Sequence, residues 1–262
     1  QNGSVRLTNN HWRLDRQALA GQFSVDQVIV LNDFEAVAYA LPTLDSSDTQ
    51  TIGPGAAPNL TGADFTVGVL GPGTGLGVAG LLGRSGAVYP VVGEGGHAGF
   101  APQTAQQVEV LRILRKRFKW VSNERLVSGP GIENIYAALC TLNGEPGSPR
   151  SAEDIFALAR DRRNPTALDA VELFFEVLGQ VAGDLALLLG AADGIFLAGG
   201  ILPRYPQLLD QSGFRHAFKN KGRYRALLEQ VPTHLVCRSN PGLLGVASCA
   251  RQAWTAQAAQ SS

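Results

Sequence analysis

Two short stretches of this sequence combine carboxylates, an imidazole or an amide with backbone freedom. In Gly93-Glu94-Gly95-Gly96-His97, three glycines let the main chain approach a ligand closely, while Glu94 and His97 can accept from and donate to neighbouring hydroxyls. A sugar ring needs such a set. As a metal half-site the pair lacks a second pair of ligands nearby; the remaining alternative is a structural turn with a satisfied histidine. Asn32-Asp33 stands where the apolar run Gln27–Leu31 stops and a helical pattern begins. In open α/β sheets ligands bind at the carboxyl ends of strands. Asp33 is therefore a candidate base. From position alone the better reading is that it is only the N-cap of a helix starting at Phe34, and the two roles are compatible.

The glycine-rich run Gly71-Pro72-Gly73-Thr74-Gly75-Leu76-Gly77 is not a dinucleotide fingerprint, because GxGxxG would require glycine at position 76, nor does a Lys-Ser or Lys-Thr pair make it a Walker loop. It reads as a hairpin turn whose N–H groups could cradle a phosphate, or only as a turn. Ala198-Gly199-Gly200 follows an apolar strand and would let a flat ring or a phosphate reach a helix N-terminus, although such glycines also occur without a ligand. Taken alone, Glu124 in Ser122-Asn123-Glu124-Arg125 reads as a helix-start residue in a capping pattern. The basic cluster Arg112, Arg115, Lys116, Arg117 and Lys119 reads as a solvated helix face.

The elements that must position these groups follow from periodicity. Strands are predicted at Val5–Thr8, Gln27–Leu31 (buried), Phe65–Leu70, Leu76–Leu82, Ala87–Val92, Gly194–Leu197 and Thr233–Cys237. Helices are predicted at Asp15–Phe23, Phe34–Leu41, Gln103–Phe118, Gly131–Leu142, Ser151–Arg162, Asn164–Gly190 and Gly213–Gln230, with a last helix opened by Asn240-Pro241-Gly242. Asp45–Asp64 has no apolar period and reads as a surface connection, with a lobe boundary near its start. Alternating strands and helices make this an α/β protein.

Composition excludes several classes. The 22 basic and 22 acidic residues cancel, so no net field favours nucleic acid or an anionic membrane. Cys140, Cys237 and Cys249 are an odd number at wide spacing, which fits a reducing cytoplasm. No apolar run is long enough to span a bilayer, and Gln1–Thr8 is too polar for a signal peptide. The chain contains no methionine and opens on Gln1, which suggests a missing N-terminus.

Taken in order, LNDFEAVAYALP (31–42), GPGTGLGVA (71–79), GEGGHAGFAP (93–102), NERLVSGPG (123–131), FLAGGILPR (196–204) and NPGLLG (240–245), with TNNHW at 8–12, resemble the bacterial glucokinase family of the actin-like sugar-kinase superfamily. The resemblance implies an actin-like ATPase, ribonuclease H-like, two-lobe α/β fold, with residues 1–43 and 239–262 in a small lobe that lacks its first strands and 44–238 in a large lobe. It implies a cytoplasmic, homodimeric enzyme that uses ATP and Mg²⁺ to phosphorylate the 6-hydroxyl of glucose. By the same resemblance Asp33 is the base, Asn32, Glu94, His97 and Glu124 hold the sugar, Gly73-Thr74-Gly75 is a phosphate-binding turn, and Gly199-Gly200 border the adenosine. Thr8 and Asn9 would lie near the sugar. The family's DxGGTN-like phosphate turn is not among these residues and would precede Gln1. No cysteine-rich zinc motif of the related repressor-and-kinase sugar proteins is present. A sugar-binding sensor without catalysis and a kinase for another hexose are the competing readings; an intact Asp33 argues against the first.

Overall fold

The computed structural model describes residues 4–6, 13–55, 60–61, 64–146 and 149–260. Its strands are β1 (Ser4–Arg6), β2 (Arg13–Asp15), β3 (Thr49–Thr51), β4 (Phe65–Pro72), β5 (Leu76–Arg84), β6 (Ala87–Val92), β7 (Gly194–Leu197) and β8 (Thr233–Val236). Its helices are α1 (Arg16–Phe23), α2 (Asp33–Ala40), α3 (Ala105–Leu114), α4 (Gly129–Leu142), α5 (Ala152–Arg160), α6 (Pro165–Leu189), α7 (Pro206–Asp210), α8 (Phe214–Lys219), α9 (Arg225–Gln230) and α10 (Pro241–Gln260). β1 and β2 form an antiparallel pair, and the other six strands form one mixed sheet in the order β3-β8-β7-β4-β5-β6. β7 runs parallel to both β4 and β8.

Alternation along the strands splits the core into two layers. Leu70, Ile195, Leu197 and Leu235 face a large cluster built with α3 to α6 and α8. Val67, Val69, Phe196 and Val236 face the other side, where Phe34 and Ala38 of α2 and the following Leu41 cover them. β4 is buried along its whole length, which fits a sequence apolar on both faces except at Thr66. α6, about 37 Å long at 1.5 Å per residue, is the central helix of the large layer. The side chain of Asn164 caps it by accepting from the Ala167 N–H, and Gly190, at φ +62°, closes it in a left-handed turn. α10 crosses α2 at Gly245, where any Cβ would overlap the Ala36 carbonyl.

The structure corrects three expectations. Gln27–Leu31 is not a strand: no described strand pairs with it and Ile29 is 44% exposed. Apolar sequence alone does not make a strand, because its N–H and C=O groups need a neighbouring ladder. The single helix expected over Gly213–Gln230 is two, α8 and α9, broken where Gly222 adopts φ +55°. Asp45–Asp64 contributes β3, a Thr-Gln-Thr edge strand held to β8 by main-chain pairing, so its sequence shows no apolar alternation. Thr8 and Asn9, like the rest of TNNHW, lie outside the described residues.

Candidate active site

The N-terminus of α2 presents the first group. Asn32 keeps extended backbone, and its Oδ1 accepts from the N–H groups of Phe34 (2.9 Å) and Glu35 (3.4 Å). Glu35 Oε2 reaches back to the Asn32 N–H at 3.1 Å. This is a capping box, so the cap is Asn32 and the expectation that Asp33 caps the helix is corrected. Asp33 is the first helical residue, and its carboxylate is exposed. Its Oδ1 accepts from the Phe34 N–H at 2.9 Å, and the helix N-terminus favours its negative charge. Phe34 anchors this turn, buried against β5 where Gly77 leaves room for its ring; a Cβ on Gly77 would overlap it.

The second group is a pair of glycine loops. β4 and β5 pair through Pro72 and Leu76, leaving Gly73-Thr74-Gly75 as the hairpin turn, closed by Gly73 N–H to Gly75 C=O at 2.8 Å. The Gly129 N–H, at the start of α4, donates to the Gly73 carbonyl at 2.8 Å. The end of β7 runs alongside, with the Ala198 N–H donating to Leu70 C=O at 2.9 Å. Gly199 turns at φ +89°, and a Cβ there would lie 2.5 Å from the Pro72 carbonyl. These loops therefore pack backbone on backbone, whereas Gly73 and Gly200 have open space where a side chain would be.

The third group joins the first two in space. Gly95–His97 forms a short 3₁₀ turn, and Glu94 before it is exposed along with His97. Glu124 stands in a second such turn, Asn123–Arg125. The capping expectation fails for Glu124: Ser128 caps α4, its Oγ accepting from the Gly131 N–H at 2.9 Å. Glu124 instead crosses to the hairpin, where Oε2 accepts from the Leu76 N–H at 2.9 Å. Its Oε1 lies 4.0 Å from His97 Nδ1.

One open cleft of about 1700 Å³ is lined by Asn32, Asp33, Gly73, Thr74, Gly75, Glu94, His97, Glu124, Gly199 and Gly200. The candidates drawn from five separate stretches of sequence thus meet at one place. Asp26, Gly71, Asn240 and Trp254 also line it and were not singled out as site residues; Asn240 carried a signal, since it opens the NPGLLG block. Carboxylates, an imidazole and two glycine turns share this lining, an arrangement suited to a polyhydroxyl compound beside a phosphate. Among the described residues no group of three His, Cys, Asp or Glu side chains is placed to hold a metal ion by itself. Nor is any helix among them long and apolar enough to cross a membrane.

Known proteins share both sequence and fold with this chain. The family model described as Glucokinase matches residues 1–253. A glucokinase of Xylella fastidiosa (strain M23) is 41% identical over 249 residues, covering 94% of this chain and 74% of that protein. The crystal structure of a glucokinase from an Antarctic psychrotroph superposes with a TM-score of 0.85 at 38% identity, covering 95% of this chain and 76% of that one. A ROK-family glucokinase from Streptomyces griseus, solved with glucose and AMPPNP, shares the fold at a TM-score of 0.59 and 19% identity, covering 91% and 72% of the two chains. The mixed α/β architecture is accordingly that of the actin-like sugar kinases, and the chain belongs to the glucokinase family of enzymes.

Proposed function

We propose that this cleft transfers the γ-phosphoryl group of ATP to the 6-hydroxyl of glucose. The observation that carries the reading is the meeting of Asp33, Glu94, His97 and Glu124 with the Gly73–Gly75 turn in one cleft. Glu94, Glu124, His97 and the amide of Asn32 would hold the ring hydroxyls. A wrong epimer would leave one of these partners unpaired and be disfavoured. Asp33 would orient the 6-hydroxyl and accept its proton as the bond to phosphorus forms. The N–H groups of Thr74 and Gly75 in the hairpin turn would hold phosphate, and the backbone at Gly199-Gly200 would border the nucleoside. Most of the rate enhancement comes from this positioning and from donors aimed at the transferring group. That the Streptomyces griseus structure holds glucose and AMPPNP on the same fold supports this choice of substrates.

Mg²⁺ binds mainly through substrate phosphates and water, with one or two protein oxygens. The donor set fits, since the Asp33 carboxylate and the Thr74 hydroxyl are oxygens of residues that line the cleft. The ion would neutralise charge on the transferring phosphoryl group. The same reading carries a lobe division at residues 43/44 and 238/239, a homodimer and a cytoplasmic location.

A coupled assay of glucose-dependent ADP release from Mg-ATP tests the proposal, with mannose and glucosamine as competing sugars. Asp33→Asn should lower kcat by about 10²–10⁴-fold, the usual contribution of a positioned base, while glucose still binds within a few fold. Full turnover by Asp33→Asn would remove Asp33 as the base. Glucose binding without turnover in a chain that also carries the DxGGTN-like phosphate turn would favour a sensor.

A further inference from the structure

Trp120 has an unusual combination of exposure and engagement. It is 65% exposed, so its indole adds little to the core, yet its Nε1–H donates to the His97 carbonyl at 3.1 Å. The ring rests on Gly99, where a Cβ would lie 3.0 Å from the indole edge. It sits on a seam between two segments: Gly99 bridges Ser122, the Phe100 N–H donates to Val121 C=O at 3.0 Å, and the Asn123 N–H donates to Ala98 C=O at 2.9 Å. His97 leads into this seam from one segment and Glu124 leaves it on the other. The indole bond extends the seam by one further rung, at the residue whose ring faces Glu124 across 4.0 Å.

We propose that Trp120 is a positioning residue for the sugar site: by holding the His97 carbonyl, its indole N–H fixes the Gly95–His97 turn and the His97 to Glu124 spacing on which sugar affinity depends. The inference rests on the reading of His97 and Glu124 as sugar ligands. A single neutral hydrogen bond is worth a few-fold to about tenfold in an equilibrium constant, which sets the size of the effect. Trp120 touches no reacting atom in this account, so the chemical step is not its target.

The test compares wild type, Trp120→Phe, His97→Ala and the double variant by glucose calorimetry, by steady-state kinetics and by urea unfolding. Trp120→Phe removes the donor together with the outer indole carbons that lie over Gly99. It should raise the glucose Kd and KM roughly three- to tenfold, with kcat, the KM for ATP and the urea midpoint almost unchanged. In the His97→Ala background the same change should have less than about a twofold effect, as coupled sites require. Weakened glucose binding in His97→Ala but not in Trp120→Phe would overturn the inference and leave the sugar site standing. An equal effect of Trp120→Phe with and without His97 would also overturn it, by showing that the indole acts elsewhere. If neither variant weakens binding, the assignment of His97 to the sugar falls, and the inference with it.

Discussion

Glu124 is where fold and proposed chemistry are most tightly joined, and replacing it separates the two. Oε2 accepts from the main-chain N–H of Leu76, a residue only 5% exposed, at 2.9 Å. Glu124→Ala leaves that donor without its partner, at a cost of about 1–3 kcal/mol. It also removes a cleft carboxylate that we assign to the sugar. Losing a hydrogen bond to a charged group costs about 1.5–3 kcal/mol, or roughly 10- to 150-fold in kcat/KM for glucose. Glu124→Gln keeps a carbonyl that can accept from Leu76, so its stability should stay within about 1 kcal/mol of wild type while glucose kinetics still suffer. Gly75 gives an independent check, since a Cβ there would lie 2.5 Å from Oε2; Gly75→Ala should disturb the same tie from the hairpin side. Urea midpoints report the first effect, and glucose titrations at fixed Mg-ATP report the second. A destabilised Glu124→Ala protein with wild-type glucose kinetics would reduce Glu124 to a structural strut. Unchanged stability would refute the Leu76 bond itself.

Two further outcomes follow from packing and burial. Gly77→Ala should destabilise the chain by about 1–3 kcal/mol, typical of overpacking, because the new Cβ overlaps the Phe34 ring; kcat should fall as well, since Phe34 anchors the turn that carries Asp33, and a thermal melt run beside the kinetic assay reads both. The Tyr39 phenol is pushed up to about 12 by burial, with the Cys249 thiol and Glu35 adding to the effect. The folded chain therefore keeps this proton where the unfolded chain, ionising near pH 10, has lost it, and stability falls as pH rises from about 10 to 12. The loss is on the order of 2 kcal/mol before solvent screening reduces it. Urea unfolding across that range should show a shallower decline for Tyr39→Phe.

Some of this protein was readable along the chain. β6 and β7 begin and end at Ala87–Val92 and Gly194–Leu197 as predicted, because a short apolar run bounded by glycine or turn residues leaves little choice of limits. α6 was legible at both ends from Asn164 and Gly190, whose capping roles depend only on neighbouring residues. The candidate site residues were legible as types: a glycine loop, a carboxylate beside an amide, and a carboxylate and imidazole among glycines. Their order along the chain, matched to a family, gave each its proposed role.

Other features required the folded chain. Gln27–Leu31 has the apolar content of a strand but no described partner strand, and β3 has a strand's partner without apolar content; pairing is a property of two segments, and neither segment encodes it alone. The choice of Asn32 over Asp33 as cap depended on which side chain could share its donors with Glu35. Glu124 reads locally as a helix-start residue, yet its bond goes to Leu76, 48 residues away. Sequence determined the kinds of groups this protein carries and most of the elements that carry them, because propensity and apolar period act over a few residues. Tertiary structure alone decided which groups meet, because the contacts of Phe34 with Gly77, Gly71 with Ala198 and Glu124 with Leu76 exist only after distant strands and turns have packed.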